Sequence, residues 1–251
     1  MDFEKCRKAF DEYVSHFDKT EKGINLKYHH SYAVSELMAE LAFRLELSDE
    51  DLMLAKIIGL LHDIGRFEQL KKFHSFSDSN VDHADESCNY LFKDHHIRDF
   101  VDDDKYDSVI EKAIRYHNKY ALPKDLEEKE LLFSKMIRDM DKVDIYKQCA
   151  VNYSHIFDVE ELSEAALKQF EERVSIDKLH NLKKSDAILV MLAFVFDINF
   201  EESFDILVET DNFDLFLSTI EVLPNSEKMW KKVREICFDV INQGVIRKDD
   251  K

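Results

Sequence analysis

The pair of residues with the greatest chemical consequence is His62-Asp63, in the segment IIGLLHDIGRFE. Four apolar residues (Ile57, Ile58, Leu60 and Leu61) lead straight into an imidazole and a carboxylate at the end of a helix that must be buried. Burying such a pair is costly unless it is hydrogen-bonded or bound to a cation. Four further segments set a His or Asp among apolar residues at helical spacing: YHHSYAVSELMAELA with His30, VDHADESCNYLF with His83, VIEKAIRYHNKY with His117 and FSKMIRDMDKVDIYK with Asp141. Each residue alone has a plain structural explanation, as a cap or a satisfied core group. Six together define a candidate divalent-metal site. Mixed imidazole and carboxylate donors suit Mn, Fe, Co, Ni or Zn better than Mg or Ca.

The order H…HD…H…H…D resembles the HD-domain superfamily of metal-dependent phosphohydrolases over roughly the first 150 residues. HSYAV at 30–34 is similar to the family's first-ligand helix, LLHDIGR to its HD segment, and MDKVD at 140–144 to its final Asp segment. DHADESCNYL and AIRYHNKY resemble the dinuclear branch, which includes diadenosine tetraphosphate hydrolases and cyclic-dinucleotide phosphodiesterases. The resemblance implies two divalent ions, with iron or manganese favoured and Zn, Co or Ni possible. One would take His30, His62, Asp63 and Asp141; the other would share Asp63 as a bridge and add His83 and His117. Two positions depart from the branch: Asn118 stands where some members have a second His, and no Gly-Tyr-Pro signature is present.

Such a site supports hydrolysis. Two divalent cations and two aspartates leave a charge of about +2, which lowers the pKa of a bound water towards ~7 and clamps phosphoryl oxygens. The expected reaction is attack of a metal-activated water or hydroxide on a small phosphorylated metabolite, a nucleotide being the favoured class. Asp63 and Arg66 are the candidate catalytic residues; Arg66 either meets a phosphate by a bidentate contact or is a surface cation at a helix end. The alternatives are a mononuclear nucleotidase, a nucleotide-sensing module without turnover, and a scaffold with scattered satisfied histidines. His29 points roughly 100° away from His30, and Val34 and Leu37 set the inward register, so His30 is the ligand. Asp82, Asp139 and Asp144 are candidates to orient imidazoles, with surface ion pairs the simpler reading for Asp139 and Asp144. His74, Asp78, Lys119 and Tyr120 are peripheral candidates for substrate contact, and His16, His95, His96, His155 and His180 receive no role.

The elements that position these residues read as helices nearly throughout. Phe3, Phe10, Tyr13, Val14 and Phe17 form the face of a first helix; Gly23 and Asn25 break the chain; a second helix spans about 30–45. Ser48 caps a third, expected to end near Gly65. Residues 66–82 read as a long loop, and helices resume at about 82–93, 106–116 and 127–151. The acidic run 99–107 reads as a solvated connection. Farther on, Asp158 caps a helix to residue 173, Ser185 caps an apolar one, a last helix ends at Gly244, and 248–251 form a loose tail. Phe194, Phe196, Phe200, Phe204, Phe213 and Phe216 read as core that either covers the site or forms a dimer face.

The expected fold is therefore all-α: an HD-domain-like helical bundle as one domain over 1–251, with a metal-binding core at about 20–151 and a helical C-terminal extension at about 152–251. Only four Gly and two Pro among 251 residues agree with helices joined by short polar loops. The net charge of −18 disfavours a nucleic-acid polymer as partner. No apolar run is long enough for a bilayer, the N-terminus lacks a signal-peptide core, and the four dispersed cysteines suit reduced, buried thiols. These features predict a cytoplasmic protein that acts on a small substrate without membrane attachment, with a homodimer possible.

Overall fold

A computed structural model of the protein describes residues 1–78, 81–176 and 183–246. The chain folds into two compact units, Met1–Asp141 and Lys142–Lys251. The architecture is all-α, with helices predominating in both units.

The first unit contains α1 (Phe3–Ser15), α2 (Lys22–Arg44), α3 (Asp49–Leu61), α4 (Gly65–Phe73), α5 (His83–Cys88), α6 (Ile97–Phe100), α7 (Asp107–Tyr116) and the start of α8 (Glu128–Asn152). Local chemistry accounts for the starts: Asp2, Ser48 and Asp82 each accept a backbone N–H of the first turn, and Asp49, Glu50 and Asp51 face the positive end of α3. The core is built chiefly on α2 against α3, where Val34, Met38, Leu41, Leu54, Ile57, Ile58 and Leu61 are fully buried. Gly59 permits this approach, since a Cβ there would lie 2.7 Å from the Cα of Ser35.

Three expectations are corrected here. The second helix begins at Lys22 rather than near His30: Gly23 and Asn25 lie in its first turn, and the Asn25 N–H bonds the Glu21 carbonyl at 3.0 Å. The third helix closes at His62, and residues 62–64 form a tight turn in which the Ile64 N–H meets the Leu61 carbonyl. Gly65 then opens α4, so residues 66–73 of the expected loop are helical. Its N–H donates to Ser87 Oγ at 2.9 Å, and a Cβ on Gly65 would sit 2.5 Å from the Ser87 nitrogen. The missing side chain brings α4 onto α5 and seats His83 beside the HD turn. In the acidic run, Asp102, Asp103 and Asp104 are exposed as expected, whereas Phe100 and Val101 anchor it in the core.

The second unit continues α8 and adds α9 (Glu164–Glu171), α10 (Asp186–Leu192), α11 (Glu201–Glu209), α12 (Asn212–Ser218) and α13 (Glu227–Ile246). Two short strands, β1 (His155–Phe157) and β2 (Ile220–Val222), pair in parallel. The helix expected from Asp158 to residue 173 is divided. Asp158 caps only a 3-10 turn at Val159–Glu161, and Ser163 caps α9. Ser185 makes no capping bond; its hydroxyl accepts the Asp158 N–H at 3.1 Å. Gly244 lies inside α13, where a Cβ would overlap the ring of Phe204, so it serves packing and not termination. Phe204, Phe213 and Phe216 are buried, and Tyr146 packs against Phe213 and Phe216. Phe194, Phe196 and Phe200 are half-buried.

Burial pushes the thiols of Cys6, Cys88 and Cys237 up to about 12, whereas Cys149 is half-buried, short of the expected full burial. Among the described residues no helix is long and apolar enough to cross a membrane. His180 and the tail at 248–251 lie outside the described residues.

Candidate metal centre

All six side chains singled out in the sequence come together in the first unit. His30 lies on the buried face of α2 with Lys27, Ser31 and Val34. His62 closes α3 and Asp63 follows in the turn; His83 opens α5, His117 closes α7, and Asp141 lies on α8. Both histidines at helix C-termini use a carbonyl left over by the helix. Nδ1 of His62 lies 2.7 Å from the Gly59 oxygen, and Nδ1 of His117 lies 2.6 Å from that of Ile114. A carbonyl only accepts, so each Nδ1 carries a proton and each Nε2 faces inward. His83 Nδ1 is held by Asp78 at 2.8 Å.

The inward atoms form two donor sets that share Asp63. In the first, His30 Nε2 lies 3.2 Å from His62 Nε2, 3.6 Å from Asp63 Oδ2 and 3.1 Å from Asp141 Oδ1. His62 Nε2 lies 3.5 Å from Asp63 Oδ2 and 3.6 Å from Asp141 Oδ1. Donors around one cation at ~2.1 Å are roughly 3.0–3.4 Å apart, a spacing that His30, His62 and Asp63 approach as one group able to hold a metal, with Asp141 beside both imidazoles. In the second set, Asp63 Oδ1 lies 3.5 Å from His83 Nε2 and 3.7 Å from His117 Nε2, and the two Nε2 atoms are 3.0 Å apart. Asp63 thus turns one oxygen to each set, as a bridging carboxylate does. Oδ1 is buried without a hydrogen-bond partner. A buried acceptor left bare, beside two imidazole nitrogens only 3.0 Å apart, is the surrounding a cation would satisfy. The residues present therefore fit divalent metal.

Cationic side chains also border the centre. Lys27, one turn before His30, donates to Asp63 Oδ2 at 2.5 Å. It escaped the sequence reading because the helix was expected to start after it; its spacing of three from His30 was the available signal. Arg66 is not a surface cation. Its Nη1 donates to Gln69, Asp78 and the Phe76 carbonyl, and its Nη2 lies 3.2 Å from His83 Nε2. Asp78 holds His83 and Arg66, a positioning role the sequence did not indicate. Asp82 caps α5 and takes the side chains of Asn118 and Lys119 at 3.0 and 2.5 Å, and among the described residues it bonds no imidazole. Asp139 and Asp144 are buried, not on the helix surface as expected, and Asp144 accepts from Gln148. His29 and His74 are exposed.

The electrostatics follow from this packing. Burial alone would raise Asp63, yet Lys27 and then His62 and His83 hold its carboxyl well below the usual range. Asp141 is also held low against burial, by His30 and His62. Burial would depress His62, but the carboxylates of Asp63 and Asp141 raise its imidazole to about 9. His117 is pushed to about 3 by burial and by the neighbouring His83 and His62. Because the folded value of His62 exceeds its ordinary 6.5, its contribution to stability is complete below pH 6.5 and is lost as pH rises through about 9. Metal-free protein should therefore lose thermal stability across that window, and metal affinity should rise as the competing proton leaves. Calorimetry near pH 7.5 in buffers of different ionisation enthalpy should find about one proton released at the first site; no buffer dependence would contradict this.

The sequence model of the HD domain family matches residues 28–146 of the chain. HD domains are generally those of metal-dependent phosphohydrolases, in keeping with a buried His/Asp cluster able to bind metal. No curated protein and no solved structure shows significant similarity to the chain.

Proposed function

We propose that the chain is a metal-dependent phosphohydrolase with a two-metal centre, acting on a small phosphorylated metabolite, with nucleotides as the favoured class. The observation that carries this reading is Asp63, which offers Oδ2 to one donor set and a bare, buried Oδ1 to the other. Divalent ions held there supply a Lewis-acid clamp on the phosphoryl oxygens and ease deprotonation of an attacking water.

The chain's own groups do the remaining work. His30, His62, Asp63 and Asp141 would hold one ion, and Asp63, His83 and His117 the other. The carbonyls of Gly59 and Ile114 and the carboxylate of Asp78 fix the rings so that Nε2 faces the centre. Arg66 is the residue we assign to the substrate. Its Nη1 is occupied by three acceptors, and its Nε has no hydrogen-bond partner. The Nε/Nη2 edge faces the centre, with Nη2 3.2 Å from His83 Nε2 and Nε 3.7 Å from Asp63 Oδ1, and is the edge that would turn to a phosphoryl group once metal engages those two ligands. The acidic chain favours a small substrate over a nucleic-acid polymer, and its free thiols suit the cytoplasm.

The test is release of phosphate from a panel of nucleotides and simple phosphoesters by protein loaded with Mn or Fe. Turnover of at least one nucleotide is expected. Failure across the whole panel by metal-loaded protein would favour a nucleotide sensor instead.

A further inference from the structure

Lys27 occupies the oxygen that the first metal set needs. Its side chain is 11% exposed, and its Nζ donates to Asp63 Oδ2 at 2.5 Å, while that oxygen lies 3.6 Å from His30 Nε2 and 3.5 Å from His62 Nε2. An ion bound to Oδ2 at ~2.1 Å would lie no more than about 4.6 Å from the present position of the ammonium. Two positive charges that close, with little water between them, repel strongly. Asp63 cannot satisfy both to the full.

We propose that Lys27 is a resident cation that neutralises Asp63 in the metal-free protein, yields Oδ2 to the first metal, and is then free to bind a phosphoryl oxygen of the substrate. A buried carboxylate requires a positive partner, and before metal arrives Lys27 supplies it. Once metal takes that role, the ammonium is itself the unpaired buried charge. The carboxylates of the centre are then committed to cations, so the compensating anion must come from outside, and a phosphate monoester or anhydride is an anion of that kind. The ring of Phe76 lies 5.9 Å from Lys27 Nζ and also 5.9 Å from Arg66 Cζ, so one half-buried aromatic borders both side chains assigned to phosphate. The second set shows a parallel arrangement, with Arg66 Nη2 on His83 Nε2. This inference rests on the metal-centre reading.

The experiment compares wild type, Lys27→Met and Lys27→Arg, with Lys27→Gln as a second neutral variant should the methionine protein not fold. Binding of Mn2+ is measured by competition with a chelating dye, and thermal stability with and without Mn2+. Inorganic phosphate binding is then measured on the Mn-saturated proteins. Without Lys27 the metal-free protein should melt several degrees lower, its affinity for Mn2+ should rise about tenfold, and its Mn-induced thermal shift should grow. Phosphate affinity of the loaded protein should fall at least about tenfold, with Lys27→Arg retaining most of it. An unchanged Mn2+ affinity, or an unchanged phosphate affinity, in the neutral variants overturns the inference while leaving the metal centre standing. No Mn2+ binding by wild type or variants overturns both.

Discussion

Replacing Asp63 by Asn should abolish metal binding and lower phosphohydrolase turnover by on the order of 10³-fold or more, with the helical fold retained. The effect is large because one side chain serves both donor sets. Asn keeps the shape but loses the charge, and its amide nitrogen replaces one of the two oxygens that face His30 and His62 on one side and His83 and His117 on the other. The substitution also leaves Lys27 and Arg66 without the carboxylate between them. Breaking a buried ion pair from one side costs about 3 kcal/mol, so the variant should melt lower than metal-free wild type. Elemental analysis, circular dichroism and a phosphate-release assay together check this. A variant that kept its metal content would remove Asp63 from the centre and leave the donor geometry without its bridge.

Replacing His117 by Ala should reduce bound metal from about two equivalents to about one and lower turnover on the order of 10²-fold, whereas His30→Ala should impair the more richly coordinated first ion. The asymmetry follows from the donor count. Without His117 the group of His30, His62 and Asp63 is untouched, with Asp141 still beside His30, but the other side of Asp63 is reduced to His83 and one carboxylate oxygen. Removing His117 also leaves the Ile114 carbonyl unpaired in the interior, a loss of about 2 kcal/mol that should appear in both metal-free and loaded protein. Metal analysis of the two variants separates the two-metal arrangement from a mononuclear one. A wild type holding one equivalent, unchanged in His117→Ala, would support the mononuclear nucleotidase and make His83 and His117 substrate contacts.

Much of this centre was visible before folding was considered. Ile57, Ile58, Leu60 and Leu61 announce a buried helix, so the polar pair that follows them must be compensated. Val34 and Leu37 establish the inward register that selects His30 over the exposed His29. Periodicity carries such information because a helix repeats every ~3.6 residues whatever it packs against. What escaped was set by neighbours distant in sequence. Gly23 and Asn25 look like breakers, but Ile24, Leu26 and Lys27 gain enough burial to hold the first turn of α2, which puts Lys27 on the face of His30. The 66–82 segment looks too polar for a helix, yet Phe67 and Leu70 are buried and Gly65 fits against Ser87. Gly244 resembles a helix stop, and only the ring of Phe204 beside it explains its place inside α13.

The sequence by itself therefore determined the all-α class and singled out six His and Asp side chains that the fold gathers, because residue type and helical spacing are local properties. Tertiary structure alone decided how those donors are shared. Asp63 faces both ways because the turn after α3 stands between α2 and α8 on one side and α5 and α7 on the other. Lys27 and Arg66 reach its carboxylate because buried charge seeks its nearest opposite, and which charges are nearest is known only once the helices have packed.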